Sequence, residues 1–369
     1  MGDDIYRTLM KHLGEVGIGY PQADEFLEVI KKTITPEEAE VALGLPPRLP
    51  PMEVEEVDAI ALRSHKSAEH VAPILEGLAQ KGFLYKDITA SGKPGYAFIQ
   101  IGFGLPQVFF WKGEITDQIR EISRPLLKYL AKGRDSVSGT ENTRLYRYVP
   151  VNKAVDHALQ AVLPYDMMTE VVKKAKRIAV VHCPCRVRAR FLGDSKCTHT
   201  LEACIKFNKM ADFVLDRGLG REISQTEALE IIRKSEEEGL IHFVDNCQDE
   251  IQHNCNCCSC CCWNVSPIKK RLVPRDYIMA TYYLRTTDEE ECIGCGRCAE
   301  DCPMEIITMV DDKPVVDETV CIGCGVCLLH CPTGAAKLKR KDEKTPFPDF
   351  VTVHQTAIKD SISKKQTSS

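Results

Sequence analysis

The sequence predicts a multidomain chain of mixed helix and strand, of the α+β class. Three observations predict it. The first 110 residues place capped helices before two short strands and contain no cysteine. Residues 176–286 hold eleven cysteines, and residues 287–340 hold the other eight in a pattern that occurs twice. At 369 residues and 44% hydrophobic content, the chain is long enough for two or three cores. A net charge of −5 gives no sign of a polyanion-binding protein.

The N-terminal part is well punctuated. Thr35-Pro36-Glu37-Glu38 reads as a capping box with proline at the first helical position, and Pro46-Pro47 ends that helix. A second helix fits 54–62. A third starts at Ser67, with Val71, Ile74, Leu75 and Leu78 on its apolar face and Gly82 where the chain leaves it. Residues 83–86 and 96–101 read as strands around the turn cluster Ser91-Gly-Lys-Pro-Gly95. This order, with the phrase VAPILEGLAQKGFLY, resembles the winged helix-turn-helix domains of bacterial and archaeal regulators. The resemblance implies a winged-helix-like domain over 1–110. Charge argues against DNA as its ligand. Ten Lys/Arg stand against sixteen Asp/Glu in these residues, a net of −6, and helix 67–81 carries Glu69 and Glu76. A docking or dimerisation module is expected instead, with a homo-oligomer through this domain and no nucleic acid.

The most apolar stretch, 97–111, is too short to span a bilayer and is broken by Gly, Pro and Gln, so buried strand and loop are expected. The first thirty residues have no basic start, apolar run or cleavage site. A cytoplasmic protein follows, with cysteines as metal ligands instead of disulfides. Residues 111–175 read as a polar helical connector, and 341–369 as a Lys-, Ser- and Thr-rich tail that is loose at its end.

The repeated pattern carries the chemistry. Cys292-Ile-Gly-Cys295-Gly-Arg-Cys298-Ala-Glu-Asp-Cys302-Pro303 and Cys321-Ile-Gly-Cys324-Gly-Val-Cys327-Leu-Leu-His-Cys331-Pro332 both fit C-x2-C-x2-C-x3-C-P at every position. Three cysteines two residues apart wrap a loop around one face of a cubane. Gly294, Gly296, Gly323 and Gly325 permit the positive φ that brings N–H groups near sulfur. The fourth cysteine is expected to start a helix and to point at the other cluster, with proline in its first turn. C-x2-C pairs also serve zinc, but this double spacing with proline suits a cubane better.

The repeat resembles the two-cluster bacterial-type ferredoxins over about fifty residues. The resemblance implies a ferredoxin-like dicluster domain at 287–340 and two [4Fe–4S] clusters. One would be held by Cys292, Cys295, Cys298 and Cys331, the other by Cys321, Cys324, Cys327 and Cys302. Ile306 and Ile307 would cover one cluster and Ala335-Ala336 the other. The insert 308–317 reads as a hairpin with Asp311-Asp312 at its tip.

The remaining cysteines fall in two groups along the chain: Cys183, Cys185, Cys197 and Cys204, then Cys247, Cys255, Cys257, Cys258, Cys260, Cys261 and Cys262. Between them 224–239 reads as a spacer helix with a capping box at Ser224/Glu227. Six cysteines in eight residues cannot all ligate one ion, so a subset binds metal. Each group can supply a site, giving one or two further [4Fe–4S] clusters, with zinc the lesser alternative. Arg186, Arg188 and Arg190 are placed to offset cluster charge. His182, His199, His242 and His253 are expected to serve as hydrogen-bonding groups more than as ligands.

Cys183–Arg186, Cys255–Cys262 and the two ferredoxin runs together resemble an uncharacterised family of anaerobic 4Fe–4S proteins, with C-x-C-R and CNCC-x-CCC motifs before a dicluster ferredoxin. The resemblance implies an iron–sulfur electron-transfer protein working with a redox protein or larger oxidoreductase complex, and leaves any catalytic residue open. A redox-sensing regulator with a winged helix is one alternative. A reductase with a special cluster at Cys255–Cys262 is another. No Walker motif occurs, and Gly218-Leu-Gly220 lacks the glycine pattern of a dinucleotide fingerprint.

Overall fold

A computed structural model describes residues 2–101, 104–132, 142–154, 164–193, 196–277, 279–342 and 344–367. The fold is mixed α and β and divides into two compact units. The first comprises residues 1–143, 216–219 and 354–369, the second 144–215 and 220–353.

In the first unit, helices Gly2–Leu13 and Asp24–Thr33 precede Pro36–Ala42. The capping box that opens the last of these is formed: the Glu38 N–H donates to Thr35 Oγ1 at 3.2 Å, and the Thr35 N–H to Glu38 Oε2 at 2.7 Å. Strand β1 (Glu55–Glu56) leads into helix Val57–Arg63, and Ser67 caps helix Ala68–Gln80. The predicted apolar face holds, with Val71, Leu75 and Leu78 buried and Ile74 half-buried. Gly82 leaves the helix at φ 79°. Strands β2 (Leu84–Ile88) and β3 (Pro94–Phe98) form a hairpin, and β1 adds to β3, so the sheet order is β1-β3-β2. Stacked Tyr20, Phe26 and Tyr129 centre the core, with ring centroids 5.4 and 4.6 Å apart.

The apolar stretch 97–111 is buried at Ile99, Ile101, Leu105, Val108, Phe110 and Trp111, while Gly102 and Phe103 lie outside the described residues. Among the described residues no helix is long and apolar enough to cross a membrane. The tail corrects the expectation of a loose end as far as residue 367. It forms helix Phe350–Thr367, buries Val353 and Ala357, and the Ser361 hydroxyl donates to Ile18 O at 3.1 Å. An apolar seam was hidden there by the surrounding Lys and Ser. Ser368 and Ser369 are outside the described residues.

The second unit is built on a seven-stranded sheet. Its strands are β4 (Tyr146–Val149), β5 (Ile178–His182), β6 (Glu202–Phe207), β7 (Arg221–Glu222), β8 (Ile241–Asp245), β9 (His253–Cys257) and β10 (Met279–Ala280). The order is β10-β4-β8-β9-β6-β5-β7, antiparallel except for β10 on β4. β-branched runs such as Ile-Ala-Val-Val in β5 suit a sheet buried on both faces. Part of the stretch read as a helical connector is thus a strand, β4, with helix Asp117–Lys132 before it. The spacer helix is present as Gln225–Glu237, with Ser224 accepting from the Glu227 N–H.

The repeat follows the sheet. Strands β11 (Tyr283–Thr287) and β14 (Ala336–Arg340) pair antiparallel around it. Hairpin β12 (Ile307–Val310) and β13 (Lys313–Val316) turns at Asp311 and Asp312, both with positive φ. The expected helix after each fourth cysteine is absent. Short helical turns, Arg297–Glu300 and Val326–Leu328, begin after the left-handed Gly296 and Gly325 and end before Cys302 and Cys331. The following proline disfavours helix at the residue before it, so it closes the turn instead of opening one.

Candidate metal centres

Sheet register explains where the upstream sulfurs meet. Cys204 on β6 lies opposite Cys255 on β9, with Sγ atoms 3.9 Å apart. Cys255 and Cys257, two residues apart on one strand, share a face. Cys183 caps helix Pro184–Leu192 after β5, and Cys185 sits in its first turn. There the thiols of Cys183 and Cys185 interact, Cys185 meets Cys262, and Cys262 meets Cys257. Six thiols, Cys183, Cys185, Cys204, Cys255, Cys257 and Cys262, therefore form one linked set. A second set comprises Cys197, Cys258, Cys260 and Cys261, whose Sγ atoms all lie within 4.8 Å of one another. Both sets mix the two groups seen along the chain, because the strand-to-strand register, not sequence distance, decides proximity. Cys247 joins neither set. It is fully buried in a loop bridged to Phe347, and burial raises its thiol above the ordinary value.

The three arginines take different places. Arg186 is completely buried, and its guanidinium faces the thiols of this region, Cys258 among them. Burial opposes its charge, yet Cys183, Cys257 and Cys258 hold its pKa above the ordinary value. An unpaired buried cation is costly unless anions face it, and thiolates are the anions available here. Arg188 is buried and lies 6.0 Å from the Trp263 ring centroid. Arg190 is exposed and donates to Cys197 O at 3.0 Å and to His199 O at 2.6 Å. Three of the histidines lie beside protein oxygens: His242 on Asn256 Oδ1 at 2.6 Å, His253 on Asp245 at 3.0 Å and His199 on Glu238 at 3.3 Å.

In the repeat, Cys292, Cys295, Cys298 and Cys331 line one cavity with Ala335 and Ala336. Cys302, Cys321, Cys324 and Cys327 are all buried. Burial raises the Cys302 and Cys324 thiols and pushes Cys327 up to about 12, and in each the thiols of the same set act in the same direction. Four thiols around a cavity, with glycines at positive φ between them, fit a cluster whose sulfurs accept backbone N–H groups. Residues 291–335 match the family model of the 4Fe-4S dicluster domain. No curated protein and no solved structure matches the chain.

The match supports 4Fe–4S cofactors and an iron–sulfur electron-transfer role. Two residues that the sequence reading passed over attend the dicluster domain. Arg285, buried on β11, reaches Cys298 Sγ at 3.7 Å and lines the same cavity. On β11 it shares a face with Thr287, which lines the same cavity. Tyr148, on β4, is buried, and its hydroxyl has no hydrogen-bond partner among the described residues. Burial raises its pKa, and Cys262, Cys257, Asp276 and Cys324 add to the rise. Its strand, β4, pairs with β8, which pairs with β9 and so with Cys255 and Cys257.

The two halves of the repeat sit differently. Around the first, Cys295 and Ile293 are exposed, the latter by 67%. Around the second, the Val151 N–H donates to Cys324 O at 3.0 Å, and Gly325 packs on Ala154 and Val151. Buried Asp166 ties this arrangement to the sheet. It accepts from Tyr283 Oη at 2.9 Å and lies 3.3 Å from Arg340 and 3.7 Å from Arg147.

Proposed function

We propose that the protein passes single electrons between an outer cluster at its surface and an inner cluster on its large sheet. Cys292, Cys295, Cys298 and Cys331 would hold the outer cluster. Cys321, Cys324, Cys327 and Cys302 would hold the middle one, and four of the six linked thiols Cys183, Cys185, Cys204, Cys255, Cys257 and Cys262 a third. When bound, each [4Fe–4S] cluster accepts and returns one electron. The chain's own groups set the order. The observation that carries the reading is strand β4, which lies one strand, β8, from Cys255 and Cys257 on β9 and is followed by Val151, whose N–H donates to Cys324 O at 3.0 Å. Arg285 and Arg186 supply positive charge beside the outer and inner thiols.

Exposed Ile293, Val310 and Val315 make the outer cluster's end the face offered to a partner, a redox protein or a larger oxidoreductase of anaerobic metabolism. The first unit serves as a winged-helix-like docking module in a cytoplasmic protein. Helix–helix–hairpin order and sheet order β1-β3-β2 support that reading. Exposed Glu69 and His70 on helix Ala68–Gln80, with Glu76 paired to Lys86, favour a protein over a phosphate backbone.

EPR of the anaerobically reduced protein tests the reading. Neighbouring clusters should give broadened, interacting signals, with about twelve cluster irons per chain on the three-cluster count. Isolated, non-interacting signals would refute the wire.

A further inference from the structure

We propose that Cys197, Cys258, Cys260 and Cys261 bind a single tetrahedral metal ion, zinc or ferrous iron, as a closed tetrathiolate centre. This site stands apart from the electron-transfer reading and does not depend on it. Its four Sγ atoms lie within 4.8 Å of one another, with Cys197 to Cys258 at 3.8 Å and Cys260 to Cys261 at 3.6 Å. A tetrahedron with metal–sulfur bonds of about 2.3 Å has sulfur–sulfur edges of about 3.8 Å. A cubane attaches each thiolate to a different iron, so its ligand sulfurs are pushed further apart by the edge of the cube. The dicluster domain provides the internal comparison. Its eight cysteines are described residues, four of them line a cavity, and none joins a group drawn this close. The four thiols are not disulfides either, since an S–S bond is about 2.05 Å long.

The surroundings hold the four in place. Arg190 fixes the loop that carries Cys197 through two carbonyls, Cys197 O and His199 O. The next residue, Thr200, donates its N–H to Glu238 at 2.9 Å. Cys258 and Cys261 are buried against Ala189 and Leu240. Four thiols that lose their protons to a divalent ion leave a net charge of −2, and buried Arg186, which Cys258 faces, offsets part of it. With all four positions filled by the chain, no coordination site is open to a substrate. The centre is therefore a staple, tying the loop after helix Pro184–Leu192 to the segment after β9.

Acid-labile sulfide distinguishes the two kinds of site, because a cubane contains as much sulfide as iron and a mononuclear centre contains none. Full-length protein purified without oxygen should carry one metal ion per chain in excess of its sulfide. Cys197→Ser and Cys258→Ser should each lose that one ion and no sulfide, with the dicluster EPR signals retained. The element lost, zinc or iron, identifies the ion. Loss of four irons with four sulfides would overturn the proposal in favour of a cubane, and so would variants that lose no metal. If the serine variants do not fold, the wild-type protein decides alone. One metal in excess of sulfide supports the centre, and iron equal to sulfide with no zinc overturns it. Neither result bears on the dicluster signals, so a failure here is distinct from a failure of the wire.

Discussion

Gly296 and Gly325 occupy the same place in the two halves of the repeat, and replacing each by alanine should have unequal effects. Both residues are left-handed, at φ 76° and 77°. That conformation costs an L-residue about 1–2 kcal/mol, so this part of the penalty is shared. A Cβ built on Gly296 meets nothing within 4 Å. A Cβ on Gly325 meets Ala154 Cβ at 2.6 Å and Val151 Cγ2 at 3.2 Å. Neither neighbour has a flexible end that can swing away, and overpacking of this kind adds about 1–3 kcal/mol. Gly296→Ala should therefore destabilise by about 1–2 kcal/mol, and Gly325→Ala by about 2–5 kcal/mol. The assay is anaerobic denaturant unfolding followed by loss of cluster absorbance, with iron counted in the purified variants. Gly325→Ala should also lower the iron content, because the shifted loop carries Cys324 and Cys327. Equal losses in the two variants would show that the second loop does not rest on Val151 and Ala154.

Replacing Arg186 with methionine removes the buried guanidinium that faces the upstream thiols, so the potential of the third cluster proposed there should fall while those of the dicluster domain hold. A redox titration followed by EPR checks this, and an unchanged upstream potential contradicts the charge argument. In the first unit, hydrogen bonds from Lys86, Gln80 and Tyr96 hold the Glu76 carboxyl down to about 2, against an ordinary 4.5. A lowered folded-state value means stability that is full above pH 4.5 and is lost as pH falls towards 2. Glu76 is partly exposed, so solvent screening keeps the effect small. Glu76→Gln should unfold more readily than the parent near pH 6, with the gap closing by about pH 2 in circular-dichroism urea titrations. A gap that is the same at both pH values counts against the pairing.

The parts of the fold that local chemistry dictates could be read from the chain. Thr35, Glu38 and Ser67 announced helix starts because capping is settled within four residues. Asp311-Asp312 announced a hairpin because few residue pairs accept positive φ. The spacing of Cys292 to Cys331 announced a dicluster loop because the cubane fixes it. What escaped was settled by pairing between distant strands. Leu145-Tyr-Arg-Tyr-Val lies among polar residues and gave no helical or strand period strong enough to place β4 in the sheet. Cys197 and Cys204 are seven residues apart yet belong to different thiol sets, because one lies in a loop and the other on β6 opposite Cys255. The tail was misread for a related reason: Phe350, Val353 and Ala357 form too short a seam to stand out among lysines and serines.

That returning tail bears on how the chain acquires its shape. Residues 354–367 complete a unit begun more than two hundred positions earlier, where Ser361 meets Ile18 and His354 meets Gln100. A ribosome delivers this helix only after the whole sheet and both cysteine loops have emerged. Contacts so far apart in sequence form slowly, since a long loop must close before they are rewarded. The cysteine-bearing strands and loops can thus take shape while the first unit still waits for helix Phe350–Thr367 to be made.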